Sequence, residues 1–426
     1  MRPFAIQWTV AALAVASVGA QRIPSQIALV PEQQQPWSQW MADSIISRGE
    51  ALHVDPSTMT STVFKHGMFQ LALERLVQHV PSEHAKSRYL EYLRRSVDAE
   101  LELGADGNLK YYDVHRTHII DDLLLGHGLL YLHETLGNAS YLHAATQLRL
   151  SLQSQPRTPE GTYWYRADTT QPAPEYPNTP DQAFVEQMYM LAPFLARYAS
   201  LVDIGNASAL HADILRQFAL FQRHCEHRDS HLWAQGYDHT RTKPWADPAT
   251  GATPEIWGRA NGWMAMALVD TLDLLPVSRH SDLWVRLHAM YVDLARAVAA
   301  AIDRDSAAWW QVMSWPGREG NFVESSASGM FVYSLYKGLR LGYFDDPQDQ
   351  AAVRRSADSG FQGLVEQFVV FEPDGMLGFN GTVQVRGLGG NFSYEFYVDG
   401  KIAYNDLEGA TTFLISAIEH ECAAEQ

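Results

Sequence analysis

Apolar residues recur along this chain at i, i+3, i+4 and i+7, the spacing of amphipathic α-helices. The pattern predicts twelve helices, over 36–48, 60–80, 82–102, 119–136, 140–155, 182–202, 206–225, 257–275, 281–302, 325–341, 348–370 and 406–420. Their connections alternate. Short links, often carrying Gly, Pro or Asn, lead into the odd-numbered helices, whereas long, aromatic- and glycine-rich segments lead into the even ones. Short links make antiparallel helix hairpins. The expected fold is therefore all-α, an (α/α)6 toroid with even helices inside and odd helices outside, with minor β structure in the loops. The long segments then share one face, where the inner helices begin, and long loops on a rigid scaffold are where function is usually found. No linker of biased composition interrupts the pattern, so one domain is expected over 21–426.

Composition adds an address. Residues 1–20 combine one cation, Arg2, with an apolar centre and small residues at Val18 and Ala20, the form of a secretory signal peptide cleaved after Ala20. Sequons at Asn138, Asn206, Asn380 and Asn391 fit a secreted, extracellular glycoprotein. The formal net charge of −17 argues against nucleic acid or an anionic membrane as partner. The oligomeric state stays open.

The inner-helix starts hold the candidate chemistry. Helix eight opens WGRANGW, where Trp257 and Trp263 flank Arg259. Indole faces cover the CH face of a sugar ring, and a guanidinium pairs with a carboxylate. Gly258 and Gly262 cost helix stability relative to alanine, so something is expected to approach the backbone closely there. A core helix start with a capping arginine is the alternative. Asp121, Asp181 and Asp406 stand at predicted helix starts, where aspartate also serves as an N-cap. Glu186 lies within the apolar run AFVEQMYM, so its carboxylate must be paired or protonated. Burial would raise its pKa, which suits a general acid; an ion pair with a neighbouring arginine is the other reading. Helix twelve follows Tyr394-Glu395-Phe396-Tyr397.

In these residues the sequence resembles glycoside hydrolase family 105, the unsaturated rhamnogalacturonyl hydrolases. The resemblance is carried by PWADPATG, WGRANGWMAMALVDTLDLLP and REGNFVESSASGMFVYSLYKGLRLGYF, and it runs from helix two to the C-terminus. It implies an (α/α)6 barrel acting on oligosaccharides that end in a 4,5-unsaturated uronic acid. In that chemistry a carboxylic acid protonates the alkene, water adds at C5, and the hemiketal opens to release the neighbouring sugar. The spacing rule for paired carboxylates in ordinary glycosidases does not carry over. By resemblance, Asp121 contacts ring hydroxyls and helps position the water, while Trp257, Arg259 and Trp263 line the uronate subsite. The family's catalytic aspartate falls on Glu186, after Gln182. Two family histidines fall on Gln235 and Tyr165, which hydrogen-bond but cannot carry an imidazolium charge. These departures leave two other readings open: a uronate-binding protein of the same fold without activity, and another sugar-active toroid enzyme.

Neither a metal nor a cofactor is expected. The cluster His224-Cys225-Glu226-His227 and His231 falls at the end of an outer helix, where histidine is favourable in any case. The toroid places Cys225 and Cys422 on opposite faces, about a helix length apart and beyond disulfide reach.

Overall fold

The computed structural model describes residues 35–53, 59–101, 108–109, 118–168 and 177–425. The expected signal peptide, 1–20, lies outside them. All twelve predicted helices are present. They are α1 (Trp37–Ser47), α2 (Met59–His79), α3 (Glu83–Glu100), α4 (Leu125–Leu136), α5 (Ala139–Ser154), α6 (Gln187–Leu201), α7 (Ala207–Cys225), α8 (Gly258–Leu274), α9 (Asp282–Ala300), α10 (Ser325–Arg340), α11 (Pro347–Phe368) and, after the five-residue α12 (Tyr394–Val398), α13 (Leu407–Ala424).

The boundaries have local causes. Ser82, Ser281 and Asp346 accept backbone N–H bonds at the starts of α3, α9 and α11, and Pro347 occupies the first turn of α11, where its missing N–H costs nothing. Gly137 ends α4 in the left-handed conformation, φ 69°. Burial separates the two layers: α8, α10 and α13 are covered along nearly their whole circumference, whereas α3, α9 and α11 bury one face.

Contacts run α2–α4–α6–α8–α10–α13 and back to α2, closing an inner ring. Outside it α3 packs on α2, α5 on α4, α7 on α6, α9 on α8 and α11 on α10, and the first helix, α1, completes the outer layer on α13. This is the (α/α)6 toroid, with its termini joined in the sixth hairpin. Contacts gather Pro36–Gln426 into one unit. No helix among the described residues is long and apolar enough to cross a membrane.

Among the described residues three two-stranded antiparallel ladders decorate the ring: β1 (Gln182–Phe184) with β2 (Gly236–Asp238), β3 (Val369–Phe371) with β4 (Leu377–Phe379), and β5 (Thr382–Val383) with β6 (Ile402–Ala403). The first corrects the expected span of the sixth helix. Residues 182–184 are strand rather than helix, and α6 starts only at Gln187. The cause is a close backbone approach: a Cβ on Gly236 would stand 2.4 Å from the Ala183 carbonyl oxygen, so glycine lets β2 seat against β1. Likewise 120–124 form a 3-10 turn ahead of α4.

Both cysteines are free. Cys225 is buried close enough to Glu186 to feel its charge, whereas Cys422 lies at the far mouth of the ring.

Candidate active site

A pocket opens where the inner helices begin. It is lined by Asp121, Tyr165, Glu186, Gln235, Trp257, Arg259 and Trp263, seven of the eight residues that the resemblance singles out. Gln182 stands outside that lining. Its carbonyl accepts the Tyr165 N–H at 3.1 Å and its side-chain amide turns to the Pro180 carbonyl at 3.4 Å, so it holds backbone instead.

Glu186 sits immediately before α6 and caps nothing with its side chain. It is 6% exposed, and its partner is an amide, not an arginine: Gln235 Nε2 donates to Oε1 at 2.8 Å. The β1–β2 ladder sets this contact, and Val185 N donates to the Gln235 carbonyl at 2.8 Å. Tyr397 then fixes the amide's orientation, because its hydroxyl donates to Gln235 Oε1 at 2.6 Å and leaves only the NH2 to face Glu186. Among the described residues the other carboxyl oxygen, Oε2, has no hydrogen-bond partner. Burial pushes the Glu186 pKa up to about 8, opposed mainly by the Gln235 hydrogen bond. The group is therefore protonated at neutral pH.

Asp121 occupies the 3-10 turn before α4 and accepts the Tyr165 hydroxyl at 2.5 Å. Burial raises it as well, to about 6, with the Tyr165 bond and Arg166 pulling the other way. Two carboxyl groups in one pocket thus favour opposite protonation states near pH 7, the arrangement that assigns acid and base roles.

The aromatic walls are locked. Trp257 stacks on Tyr397 at 5.7 Å, and its indole N–H donates to Gln311 Oε1 at 3.0 Å. Gln311 Nε2 in turn donates to the Tyr397 carbonyl at 3.2 Å. Trp263 lies against Tyr189 at 5.2 Å. The glycines of this helix admit protein: a Cβ on Gly258 would meet the Trp310 carbonyl oxygen at 2.8 Å, and one on Gly262 would meet Met330 Sδ at 2.7 Å.

Arg259 does not present a free cation. It is 2% exposed and bonded to Glu324 at 2.9 Å, to Glu408 at 3.2 Å and to the Val383 carbonyl. Glu324 caps α10 through Ala327 N at 2.8 Å, so the arginine ties α8 to α10, β5 and α13. The expected carboxylate partners are thus internal in the resting protein. Among the described residues the exposed cation of the pocket is Arg386, whose guanidinium lies 4.4 Å over the Phe396 ring and bonds the Phe396 carbonyl.

Of the remaining aspartates, Asp406 caps α13 and pairs with Lys65 at 2.7 Å, while Asp181 accepts the Trp164 indole N–H at 3.2 Å. The histidine cluster is dispersed into structural contacts: His224 binds Glu160 at 2.6 Å and the Thr250 carbonyl at 2.7 Å, and His231 binds Glu226 at 2.7 Å. Sequence reasoning missed Gln311 and Arg386. A glutamine in a loop and an arginine in a glycine-rich segment carry no periodic signal.

A family model described as Glycosyl Hydrolase Family 88 matches residues 37–423. Protein Atu3128 of Agrobacterium fabrum is 34% identical over 197 residues, covering 44% of this chain and 81% of that protein. The unsaturated rhamnogalacturonyl hydrolase YesR of Bacillus subtilis is 27% identical over 255 residues, covering 59% of this chain and 65% of YesR. Among solved structures, a glycoside hydrolase from family 105 of C. acetobutylicum superposes with a TM-score of 0.79 at 28% identity, over 91% of this chain and 100% of that one.

Proposed function

Because the chain belongs to Glycosyl Hydrolase Family 88, and is a hydrolase resembling the unsaturated uronyl hydrolases, we propose that it removes a 4,5-unsaturated galacturonyl or glucuronyl residue from the non-reducing end of lyase-generated oligosaccharides of the pectin or rhamnogalacturonan type. The observation that carries this reading is Glu186: a buried, protonated carboxyl with one oxygen unpartnered among the described residues, in a pocket that also holds the more acidic Asp121. Ordinary glycosidases need an acid at the glycosidic oxygen. Hydration of an enol ether needs an acid at carbon and a base for water.

In the proposed sequence the terminal ring lies between Trp257 and Trp263. Glu186 delivers its proton from Oε2 to C4. Water adds to C5 as Asp121, oriented by Tyr165, takes up a water proton. The resulting C5 hemiketal opens, the bond to the neighbouring sugar breaks, and the proton returns to Glu186 through solvent. With Arg259 committed to Glu324 and Glu408, the substrate carboxylate is assigned to Arg386, by a charge-assisted hydrogen bond. Export through the 1–20 leader belongs to the same proposal, with glycosylation at Asn138, Asn206 and Asn391, which are exposed, and at the half-buried Asn380.

The test uses an unsaturated galacturonyl–rhamnose disaccharide and the ultraviolet absorbance of its alkene, followed with the wild-type protein and with Glu186→Gln. Loss of absorbance with wild type alone supports the assignment. Loss with both moves the acid elsewhere. No loss with either, on glucuronyl substrates as well, overturns the proposed reaction.

A further inference from the structure

The opposite mouth of the toroid holds a second and larger cavity, of about 820 Å³, lined by residues of all six inner helices, most of them from the C-terminal halves. The proposed reaction makes no use of it. In its wall Cys422 Sγ stands 3.5 Å from His79 Nδ1, and the other ring nitrogen, Nε2, lies 3.1 Å from Glu421 Oε2. Glu421 is itself held from the first turn of α1: Ser38 N donates to Oε1 at 2.9 Å and the Ser38 hydroxyl to Oε2 at 2.6 Å. This is a thiol, an imidazole and an orienting carboxylate in sequence, the arrangement that activates a nucleophile.

Two further atoms point to an occupant of the cavity. His127, 2% exposed, lines it with Nε2 lacking any hydrogen-bond partner among the described residues. Arg75 lines it too: its Nη2 pairs with Asp270 at 2.5 Å, while Nη1 is buried without a hydrogen-bond partner among the described residues. A guanidinium N–H without an acceptor fits a carboxylate.

We propose that Cys422 is a reactive thiol, activated by His79 and Glu421, that forms a mixed disulfide with carboxylate-bearing low-molecular-weight disulfides entering this cavity. The Cys422 thiol gives up its proton to solvent beside the His79 imidazolium, and the sulfur attacks one sulfur of the incoming disulfide. A new S–S bond forms, the old one breaks, and the departing thiolate leaves as a thiol on taking a proton from solvent. One disulfide and one thiol are consumed, and one of each is produced, so no external oxidant is needed.

The His79 ring lies between the Cys422 sulfur and Glu421. The Cys422 sulfur and Glu421 hold the imidazole up to about 10, against the cost of burial. The charged groups lining the cavity are Glu74, Arg75 and His79 from α2, Glu134 from α4, Arg197 from α6, Asp270 and Asp273 from α8, Lys337 and Arg340 from α10 and Glu419 from α13, with Glu425 just past its end; Glu421 of α13 holds His79, and α1 contributes the uncharged Ser38. Cys225 is the internal control, because it is 1% exposed and faces none of these groups.

The experiment exposes the folded protein at pH 6 to 5,5′-dithiobis(2-nitrobenzoate), which carries carboxylates, and separately to the uncharged 2,2′-dithiodipyridine. Thiol release is followed by absorbance and the adduct is located by peptide mapping. We expect Cys422 to react at least about tenfold faster than N-acetylcysteine at the same pH, with the carboxylated reagent favoured relative to that model thiol. His79→Gln and Glu421→Gln, each checked for native circular dichroism, should lose most of the excess at pH 6. They should come within about threefold of wild type at pH 9, where free thiols ionise. A wild-type rate equal to the model thiol, an adduct on Cys225, or an excess that survives in both variants overturns the proposal. Preference for the uncharged reagent removes its carboxylate clause.

Discussion

Replacing Gln235 by leucine should move the alkaline limb of activity upward, an unusual direction for damage to an active site. In the structure the Gln235 amide donates at 2.8 Å to the carboxyl of Glu186 and, after burial, is the largest influence on its pKa. A donor stabilises the ionised carboxylate, so removing it favours the acid form and raises the pKa. A hydrogen bond to a charged group contributes about 1.5–3 kcal/mol. At about 1.4 kcal/mol per unit, that corresponds to a rise of about 1–2 units above the present value. With wild-type Glu186 at about 8, the limb in kcat/KM should move to about 9–10. The ratio of kcat/KM at pH 9 to that at pH 7 should then rise about five- to ninefold over wild type, even as the absolute rate falls. Leucine strands the Tyr397 hydroxyl, so the double variant Gln235→Leu/Tyr397→Phe serves as control and should show the same limb. The assay is kcat/KM for alkene loss from about pH 5 to about pH 10, which reports groups of the free enzyme. A limb that stays in place or moves down in both variants would falsify the assignment of Glu186 as the acid.

Three other outcomes follow from the same geometry. The folded pKa of Glu186, about 8, exceeds the ordinary 4.5, so the folded state keeps a proton that the unfolded chain releases, and stability falls as pH rises between those values. Glu186→Gln removes this loss and should gain roughly 4 kcal/mol relative to wild type between about pH 5 and about pH 9, read from denaturant unfolding; a pH-independent difference contradicts it. Arg259→Gln leaves Glu324 and Glu408 buried without their cation and should cost about 3–5 kcal/mol in unfolding free energy, whereas a variant of unchanged stability would show that the arginine is free for substrate. Arg386→Ala should raise KM about tenfold with little change in kcat or stability, since the side chain is exposed; an unchanged KM places the substrate carboxylate elsewhere.

Why the ring was legible while parts of the pocket were not comes down to which interactions are periodic. The inner and outer layers are written in the spacing of apolar residues, and the alternation of short and long connections supplied their order. Glu186 was legible for a related reason: a carboxylate inside AFVEQMYM violates its surroundings, and such violations are expected where function sits. What could not be read was the partner. An arginine seemed as natural as any neighbour, yet the structure supplies Gln235, delivered by a three-residue ladder that also turned 182–184 from helix to strand. That ladder depends on Gly236 tolerating a carbonyl at 2.4 Å from where a Cβ would be, a contact across 53 residues that no local window contains. Arg259 shows the converse case. Its position beside two tryptophans suggests a cation awaiting an anionic sugar; the structure keeps it in the pocket lining, but Glu324 and Glu408 converge on it from 65 and 149 residues away. Lining a pocket and being available to a ligand are different properties. The first follows from which helix start a residue occupies; the second depends on hydrogen bonds that only the closed ring brings together. The same ring closure brings Ser38 of the first helix onto Glu421 of the last, and with it orients His79 toward Cys422 at the far mouth.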